Sequence, residues 1–492
     1  AGIRFSNRAD SNFIDSCIIK LGGLQAGISD TGAYITFSSS NSSYMTNSSK
    51  SNGVYNIIQN CILSTNGGSG PRYAIIDQQS SANYGNTETH NSFIKNEIQN
   101  FYSTAFYLRY VNSEKIIENK ISRINAGSND YIDSNAVVFH VQDSRNNVKS
   151  TQVSQNTIQD IPYAGSSLTA STSPAFNFKI LELNNTSGND SVYFEFLSNE
   201  IKDLKLSGAF VGCNSEKNSF LNLSKNKFHD IESYTGTSYG YNLQSNQGLL
   251  INDNIFKTSK FSINSTNYAW IIYLRNNTQA KGKVIEVNRN QIDSNTATYL
   301  GSISIFGQSD YDIIGNKITH NRITSTDWNS FTGIYTIRCG NLNVISNLIA
   351  NNISNGMMLT WYSENTSSSL YTYNAYYNTI VFNDSGLSTF DQYVSFFYDQ
   401  SELNFVGNVI QAKGTASAYM NYILNPGTVK DNNIWSEGKF SNEYWQLGNN
   451  SYNKFSDWYA DSKSDKSNHN QSPRFRNEKA GDYRSGQVLN QN

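Results

Sequence analysis

Apolar residues recur along this chain in one frame: an apolar position, two spacers, an Asn, one spacer, then a second apolar position. Ile57-Asn60-Ile62, Phe93-Asn96-Ile98, Ile116-Asn119-Ile121, Val153-Asn156-Ile158 and Phe196-Asn199-Ile201 carry it first. Leu223-Asn226-Phe228, Ile251-Asn254-Phe256, Val287-Asn290-Ile292, Ile313-Asn316-Ile318 and Val344-Asn347-Ile349 continue it. Ala375-Asn378-Ile380, Phe405-Asn408-Ile410 and Val429-Asn432-Ile434 close it, and Phe13-Ser16-Ile18 opens it with Ser for Asn, making fourteen copies. From Asn96 onward the Asn-to-Asn interval ranges from 23 to 43 residues. The excess over the shortest falls in Gly-, Ser- and Asn-rich stretches, which read as loops thrown out of a constant coil. Each Asn is expected at a bend, where it tolerates left-handed backbone. Its carboxamide is expected to bond the equivalent amide in the coils above and below, as a ladder.

A second strand follows many copies: Ala136 to Val141, Ala175 to Ile180, Ala269 to Leu274, Gly301 to Phe306, Gly333 to Arg338 and Gly356 to Trp361. Two strands and the run into the next copy account for a three-sided coil. The pattern therefore predicts an all-β fold, a single-stranded right-handed parallel β-helix of about fourteen rungs over residues 1–435. At ~4.8 Å per rung it would be about 65 Å long. A leucine-rich repeat expects a Leu-rich motif at a tighter period, and a propeller four strands per blade; both fit less well. After Trp435 the frame stops, and residues 436–492 are polar, with Trp445, Trp458, Phe475 and Tyr483 as isolated anchors. They predict an irregular capping or covering segment.

In that segment Trp458-Tyr459-Ala460-Asp461, Ser472-Pro473-Arg474-Phe475 and Ala480-Gly481-Asp482-Tyr483-Arg484 resemble the end of pectate-lyase-like, NosD-type β-helix proteins. There a Pro-x-Phe step and a Gly-Asp-Tyr step follow the last rung. The repeat carries the resemblance along the whole chain, and these closing residues carry its specific motifs. Ser472 stands where that family usually has Asp, and no Leu follows Arg484. The resemblance implies a secreted bacterial protein. It leaves the activity open, because the family holds polysaccharide lyases, glycosidases, epimerases, phage tailspikes and non-catalytic surface proteins.

Composition narrows the partners. Charged residues make up 15% of the 492, with a net charge of -2, so there is no basic field for nucleic acid. No run approaches the ~20 apolar residues of a membrane helix, so membrane insertion is not expected. The chain is rich in Tyr and Phe, unlike disordered sequences. Strand alternation at Ile3, Phe5 and Phe13 begins at once, which suggests further domains of the same chain. Cys17 and Cys61 occupy equivalent places in successive copies. If the copies stack, a disulfide is within reach, two free thiols being the alternative. Cys213 and Cys339 lie too far apart in the repeat to pair.

Catalytic signals are sparse. Lys149-Ser150 faintly resembles a lyase motif without its acidic companions, and a solvated Lys explains it better. Asp310 and Asp312 are the weak candidates for a glycosidase pair, and loop acids before a strand explain them better. His90, His140, His229, His320 and His469 show no metal-ligand spacing. No cofactor is expected, and Ca²⁺ is not indicated by any carboxylate cluster.

One binding signal follows from strand alternation. Aligning second strands on a leading small residue at Ala269, Gly301, Gly333 and Gly356, and on Gln392, gives two mostly apolar columns. One is Tyr273, Ile305, Ile337, Thr360 and Phe396; the other is Leu274, Phe306, Arg338, Trp361 and Phe397. Neighbours in a strand face opposite ways, so one column is expected outside, flanked by Tyr362 and Tyr398, unless a loop or the tail covers it. Exposed apolar stripes mark binding surfaces, and aromatic rings with polar tips suit sugars. The expected function is an extracellular or cell-surface module of a larger exported protein, a rigid scaffold binding glycan or a partner protein in the manner of an adhesin. Type IX secretion follows from family analogy alone. The alternatives are a polysaccharide lyase or glycoside hydrolase with its site between Asn119 and Asn226, and a trimeric phage tailspike.

Overall fold

The computed structural model describes residues 2–5, 9–21, 32–37, 53–65, 70–78, 89–123, 135–143, 150–162, 177–184, 193–218, 220–263, 267–280, 284–325, 327, 330–354, 356–362, 371–384, 392–398, 402–414, 418–424, 426–438, 443–461, 475–477 and 482–485. Lys149, His469, Ser472, Pro473, Arg474, Ala480, Gly481 and the side chains of Phe475 and Tyr483 lie outside them. The chain divides into two compact units, Ala1–Asn267 with Ala280–Lys283, and Tyr268–Gln279 with Val284–Asn492. Each is a parallel β-helix.

In the first unit, eight strands from Ile3–Phe5 to Ser238–Gln244 form one face, each paired in parallel with the next coil's equivalent. A second face holds eight short strands from Phe13–Asp15 to Leu249–Asn252. A third face starts just beyond the ladder position of each coil, as in Lys120–Ser122 and Thr157–Gln159. Apolar residues meet inside: Phe93 packs on Phe106 at 5.6 Å between ring centroids, Phe106 on Phe139 at 5.4 Å, and Phe139 on Phe196 at 6.3 Å. The second unit repeats the plan, with seven parallel strands from Tyr268–Arg275 to Glu443–Leu447 on the first face. Six, from Ile285–Asn288 to Pro426–Lys430, lie on the second.

The asparagines stack as ladders. The Asn96 backbone N–H and its Nδ2 both donate to Asn119 Oδ1, at 2.9 and 3.0 Å. The same pair of bonds links Asn119 to Asn156, Asn156 to Asn199, Asn199 to Asn226 and Asn226 to Asn254. In the second unit it links Asn290, Asn316, Asn347, Asn378, Asn408 and Asn432 in turn. The Nδ2 of Asn119 also reaches Phe93 O at 2.9 Å, and those of Asn96, Asn156, Asn199, Asn226, Asn254, Asn316, Asn347, Asn378, Asn408 and Asn432 reach strand carbonyls likewise. These carboxamides are buried and hydrogen-bonded. A shorter second ladder, absent from the sequence reading, joins Asn295, Asn321 and Asn352 five residues further along each coil.

Two expectations need correction. Asn60 is not a ladder member: its side chain donates to Asp15 Oδ1, and Cys61, one residue on, holds the ladder place, its N–H donating to Asn96 Oδ1 at 3.0 Å. The left-handed residue at each bend is the one before the ladder Asn, as at Lys95, Glu118, Gln155 and Arg289, with φ between 54° and 57°. Gly315 and Gly407, both at φ 67°, fill that place where no Cβ is strained. Of the two readings open for Cys17 and Cys61, the structure has the free thiols. Each turns to a backbone carbonyl, Cys17 to Asp15 O at 3.3 Å and Cys61 to Gln59 O at 3.1 Å, rather than to the other.

The strand frame also outlasts residue 435. Asn433–Gly438 and Glu443–Leu447 add to the coil in parallel, Asn450–Tyr452 turns back antiparallel on the latter, and Phe475–Asn477 pairs antiparallel with Asp482–Ser485. The helix Phe455–Asp461 then buries Trp458, whose ring lies 5.5 Å from that of Trp445.

One buried acid makes the first unit pH-sensitive. Glu114 is fully buried, and neither carboxyl oxygen has a partner of hydrogen-bond geometry among the described residues. Burial, then the nearby Asp77 carboxylate, raises its pKa well above the usual range, against the weaker pull of Thr89 and the Asn91 backbone. The folded state therefore holds a proton that the unfolded state releases above about pH 4.5, and stability falls as pH rises beyond that point. Glu114→Gln is expected to leave stability nearly unchanged at pH 4 and to raise it at pH 8. Urea midpoints at the two pH values check this, and a variant that loses stability equally at both contradicts it.

Candidate functional site

The first face of the second unit carries the site. Its register aligns Trp270 with Gly301 and Thr332, Tyr273 with Ser304, Tyr335, Thr360, Phe396 and Tyr422, and Arg275 with Phe306, Ile337, Tyr362 and Tyr398. Between the last two columns runs Leu274, Ile305, Thr336, Trp361, Phe397 and Ile423, all buried. Burial alternates at three of these strand ends: Tyr273 is half-buried, Leu274 buried and Arg275 exposed, Tyr335, Thr336 and Ile337 run half-buried, buried and half-buried, and Phe396, Phe397 and Tyr398 repeat the first order, while the smaller Ser304 and Thr360 of the same column are buried. The columns starting at Tyr273 and Arg275 thus face out.

Trp361 and Phe397 therefore belong to the core, which corrects their assignment to the binding stripe. Their rings pack at 4.6 Å, and Trp361 also stacks on Tyr373 at 5.4 Å. The misalignment has a physical source. Gly301 pairs with Trp270 and not with Ala269, because a Cβ there would lie 2.1 Å from Trp270 Cε3. Gly301 is small to admit that ring, whereas Gly333 is small because a Cβ would meet Met358 O at 2.3 Å. Small residues in successive strands serve different neighbours and do not mark one column.

The other residues expected in the stripe do face out, in two clusters. Tyr273 lies 5.3 Å from Phe306 and 5.5 Å from Trp270, and Phe306 lies 5.8 Å from Tyr335. Tyr268 stacks on Trp270 at 4.6 Å and extends this cluster. Tyr362 stacks on Tyr398 at 5.5 Å, and Phe396 packs on Tyr422 at 4.6 Å. Tyr398 is 39% exposed. Burial, then neighbouring tyrosines, raises the pKa of Tyr268 and Tyr335, so their hydroxyls remain protonated donors at neutral pH. Phe396 stands in one of the two columns expected from the sequence, whereas Trp270, Tyr335 and Tyr422 do not. The i, i+2 aromatic pair Tyr268/Trp270 was a signal that could have found the first of them.

Where these strands end, a pocket of about 630 Å³ opens, lined by Arg275, Asn276, Phe306, Gln308, Ser309 and Arg338 among others. Arg338, named from sequence, thus stands at its rim with Phe306. The two weak catalytic candidates lie nearby but are engaged elsewhere. Asp310 Oδ1 accepts from the Asn341 N–H at 2.7 Å and from its Nδ2 at 3.1 Å, and Asp312 Oδ1 accepts from Asn343 Nδ2 at 2.8 Å. Both acids bind the next coil; Asp310 precedes the strand Tyr311–Ile314, whereas Asp312 lies within it.

The described histidines are scattered. His90 stacks on Tyr55 at 4.9 Å and His140 meets Tyr107 edge to face at 5.3 Å, while burial lowers the His140 pKa. His229 sits between Asp230 and Glu200, at 2.7 and 3.3 Å, and His320 Nδ1 meets Asp293 at 2.9 Å. Among the described residues no group of three His, Cys, Asp or Glu side chains converges as a metal site. No protein-family model, curated protein or solved structure matches this chain.

Proposed function

We propose that the chain is an extracellular or cell-surface binding module, its coil a rigid scaffold and the outer aromatic face of the second unit a glycan-binding surface of adhesin type. One observation carries the reading: Tyr268, Trp270, Tyr273, Phe306 and Tyr335 form one connected, partly exposed ring surface on a parallel sheet. They rise from three successive coils, which at ~4.8 Å per coil place about 10 Å of such surface in line, the scale of a short glycan segment. Aromatic faces cover the apolar sides of sugar rings while Tyr hydroxyls stay wet. The parallel pairing of their strands fixes the spacing of the rings, which limits the ordering cost of binding.

A glycan array on the intact chain tests this. Tyr273→Ala and Phe396→Ala are each expected to weaken the best ligand at least about fivefold. An array without ligands, or affinities that both substitutions leave unchanged, overturns the glycan reading and favours a protein partner. Turnover of a polysaccharide panel that Asp310→Asn abolishes would replace it with a lyase or hydrolase.

A further inference from the structure

We infer that Cys17 and Cys61 form an oxidation site, at which a small disulfide converts the two thiols into a covalent staple between successive coils of the first unit. The inference stands apart from the glycan reading, which concerns the second unit.

The register brings the pair together. Asp15 aligns with Gln59 and Ile18 with Ile62, which sets Cys17 opposite Cys61 in neighbouring parallel coils. The main chain is tied on both sides: the Ser16 N–H donates to Gln59 O at 3.2 Å, and the Ile62 N–H to Cys17 O at 2.8 Å. Coils paired in this way hold opposite Cα atoms ~4.8 Å apart, inside the ~4.4–6.8 Å that a disulfide spans. The sulfurs also turn the same way. Cys17 Sγ donates to Asp15 O at 3.3 Å, and Cys61 Sγ, besides Gln59 O, lies 3.9 Å from Ile14 O in the coil of Cys17. Both thiols thus lie beside the same Ile14–Asp15 stretch, and rotation of the exposed Cys17 side chain is the movement that closes the gap.

These thiols stand where Asn96 and the later coils of the file carry a carboxamide. Cysteine has no Oδ1, so the two hydrogen bonds that join Asn96 to Asn119 have no counterpart from Cys17 to Cys61. A covalent link supplies the connection at this step.

The two positions divide the chemistry. Cys17 is exposed and Cys61 buried. Burial raises the Cys61 pKa, and Cys17 acts on it through both backbone and side chain. The exposed thiol therefore meets the oxidant and the buried one resolves the intermediate. Cys17 thiolate attacks one sulfur of a small disulfide such as oxidised glutathione, forms a mixed disulfide and expels one thiolate. Cys61 then gives its proton to water and attacks the Cys17 sulfur, expelling the second thiolate. The two protein thiols lose two electrons and two protons, and the small disulfide takes them up as two thiols. Cys213 and Cys339 are buried, and both are expected to stay reduced.

The test incubates the intact folded chain with oxidised glutathione, alkylates the remaining thiols in denaturant and maps the peptides by mass spectrometry. Two of the four thiols are expected to disappear with the mass of two hydrogens, leaving one peptide that joins Cys17 to Cys61. Reduction is expected to restore all four. The urea midpoint of the first unit is expected to rise on oxidation, because the link restricts the unfolded chain, and to fall back on reduction. Cys61→Ser is expected to stop at a mixed disulfide on Cys17, and Cys17→Ser to react at least about tenfold more slowly. A lasting glutathione adduct on Cys17 of the wild type, a dimer joined through Cys17, or a link that includes Cys213 or Cys339 overturns the inference. Four thiols remaining in the folded chain, a Cys17–Cys61 link that appears only in urea, or a link that lowers the midpoint does the same.

Discussion

Asn316→Leu is expected to destabilise the second unit by about 3–5 kcal/mol, measured as the shift in its urea unfolding free energy. Leucine matches the volume but removes four bonds at once. The Asn290 N–H and Nδ2 lose their shared acceptor, and Val287 O and Asn347 Oδ1 lose a donor. All of these groups are buried, so water does not replace what is lost, and an unpaired buried polar group costs about 1–3 kcal/mol. Asn343→Ala is the contrast. Its amide donates to Asp312 and accepts from Asn374 on the partly exposed outer row, where water substitutes, and the expected loss is about 0.5–1 kcal/mol. Equal losses at the two positions would mean that the ladder contributes no more than surface amides.

Trp361→Ala is expected to cost about 3–5 kcal/mol in stability through the cavity it leaves against Phe397 and Tyr373. Trp361→Phe is the informative partner. The indole N–H has no hydrogen-bond partner among the described residues, so phenylalanine keeps most of the ring packing and removes an unpaired donor. About 1 kcal/mol is a fair expectation for it. Trp361→Phe should also leave glycan affinity unchanged, because the side chain is only 1% exposed. A Trp361→Phe chain that is fully folded yet has lost glycan binding would contradict the placement of the ring in the core.

The parallel coil and twelve of the ladder positions were legible because a buried carboxamide admits few substitutes, so the same residue must recur. The first two copies were misread by one residue for a simple reason. Phe13-Ile14 and Ile18-Ile19, like Ile57-Ile58 and Ile62-Leu63, are adjacent apolar pairs, and two frames fit them equally. The ladder place there is held by Cys17 and Cys61, which the search for Asn passed over. The binding face was less legible. Which of two neighbouring columns points outward depends on a shift of one residue, and Gly301 supplied that shift by making room for Trp270. No local pattern reveals the pocket, since Arg275 and Arg338 are brought together only by the stacking of coils 63 positions apart in the chain.

The residue before each ladder Asn adopts a left-handed backbone whether it is Lys95, Glu118, Ser198, Arg289 or Tyr377. What the corner demands is a torsion angle, and it places no condition on the chemistry of the side chain that leaves the coil there. The row of corners is accordingly the stretch of surface most open to evolutionary drift. Charge, bulk or polarity can be rewritten along it coil by coil while the internal file of amides stays as it is.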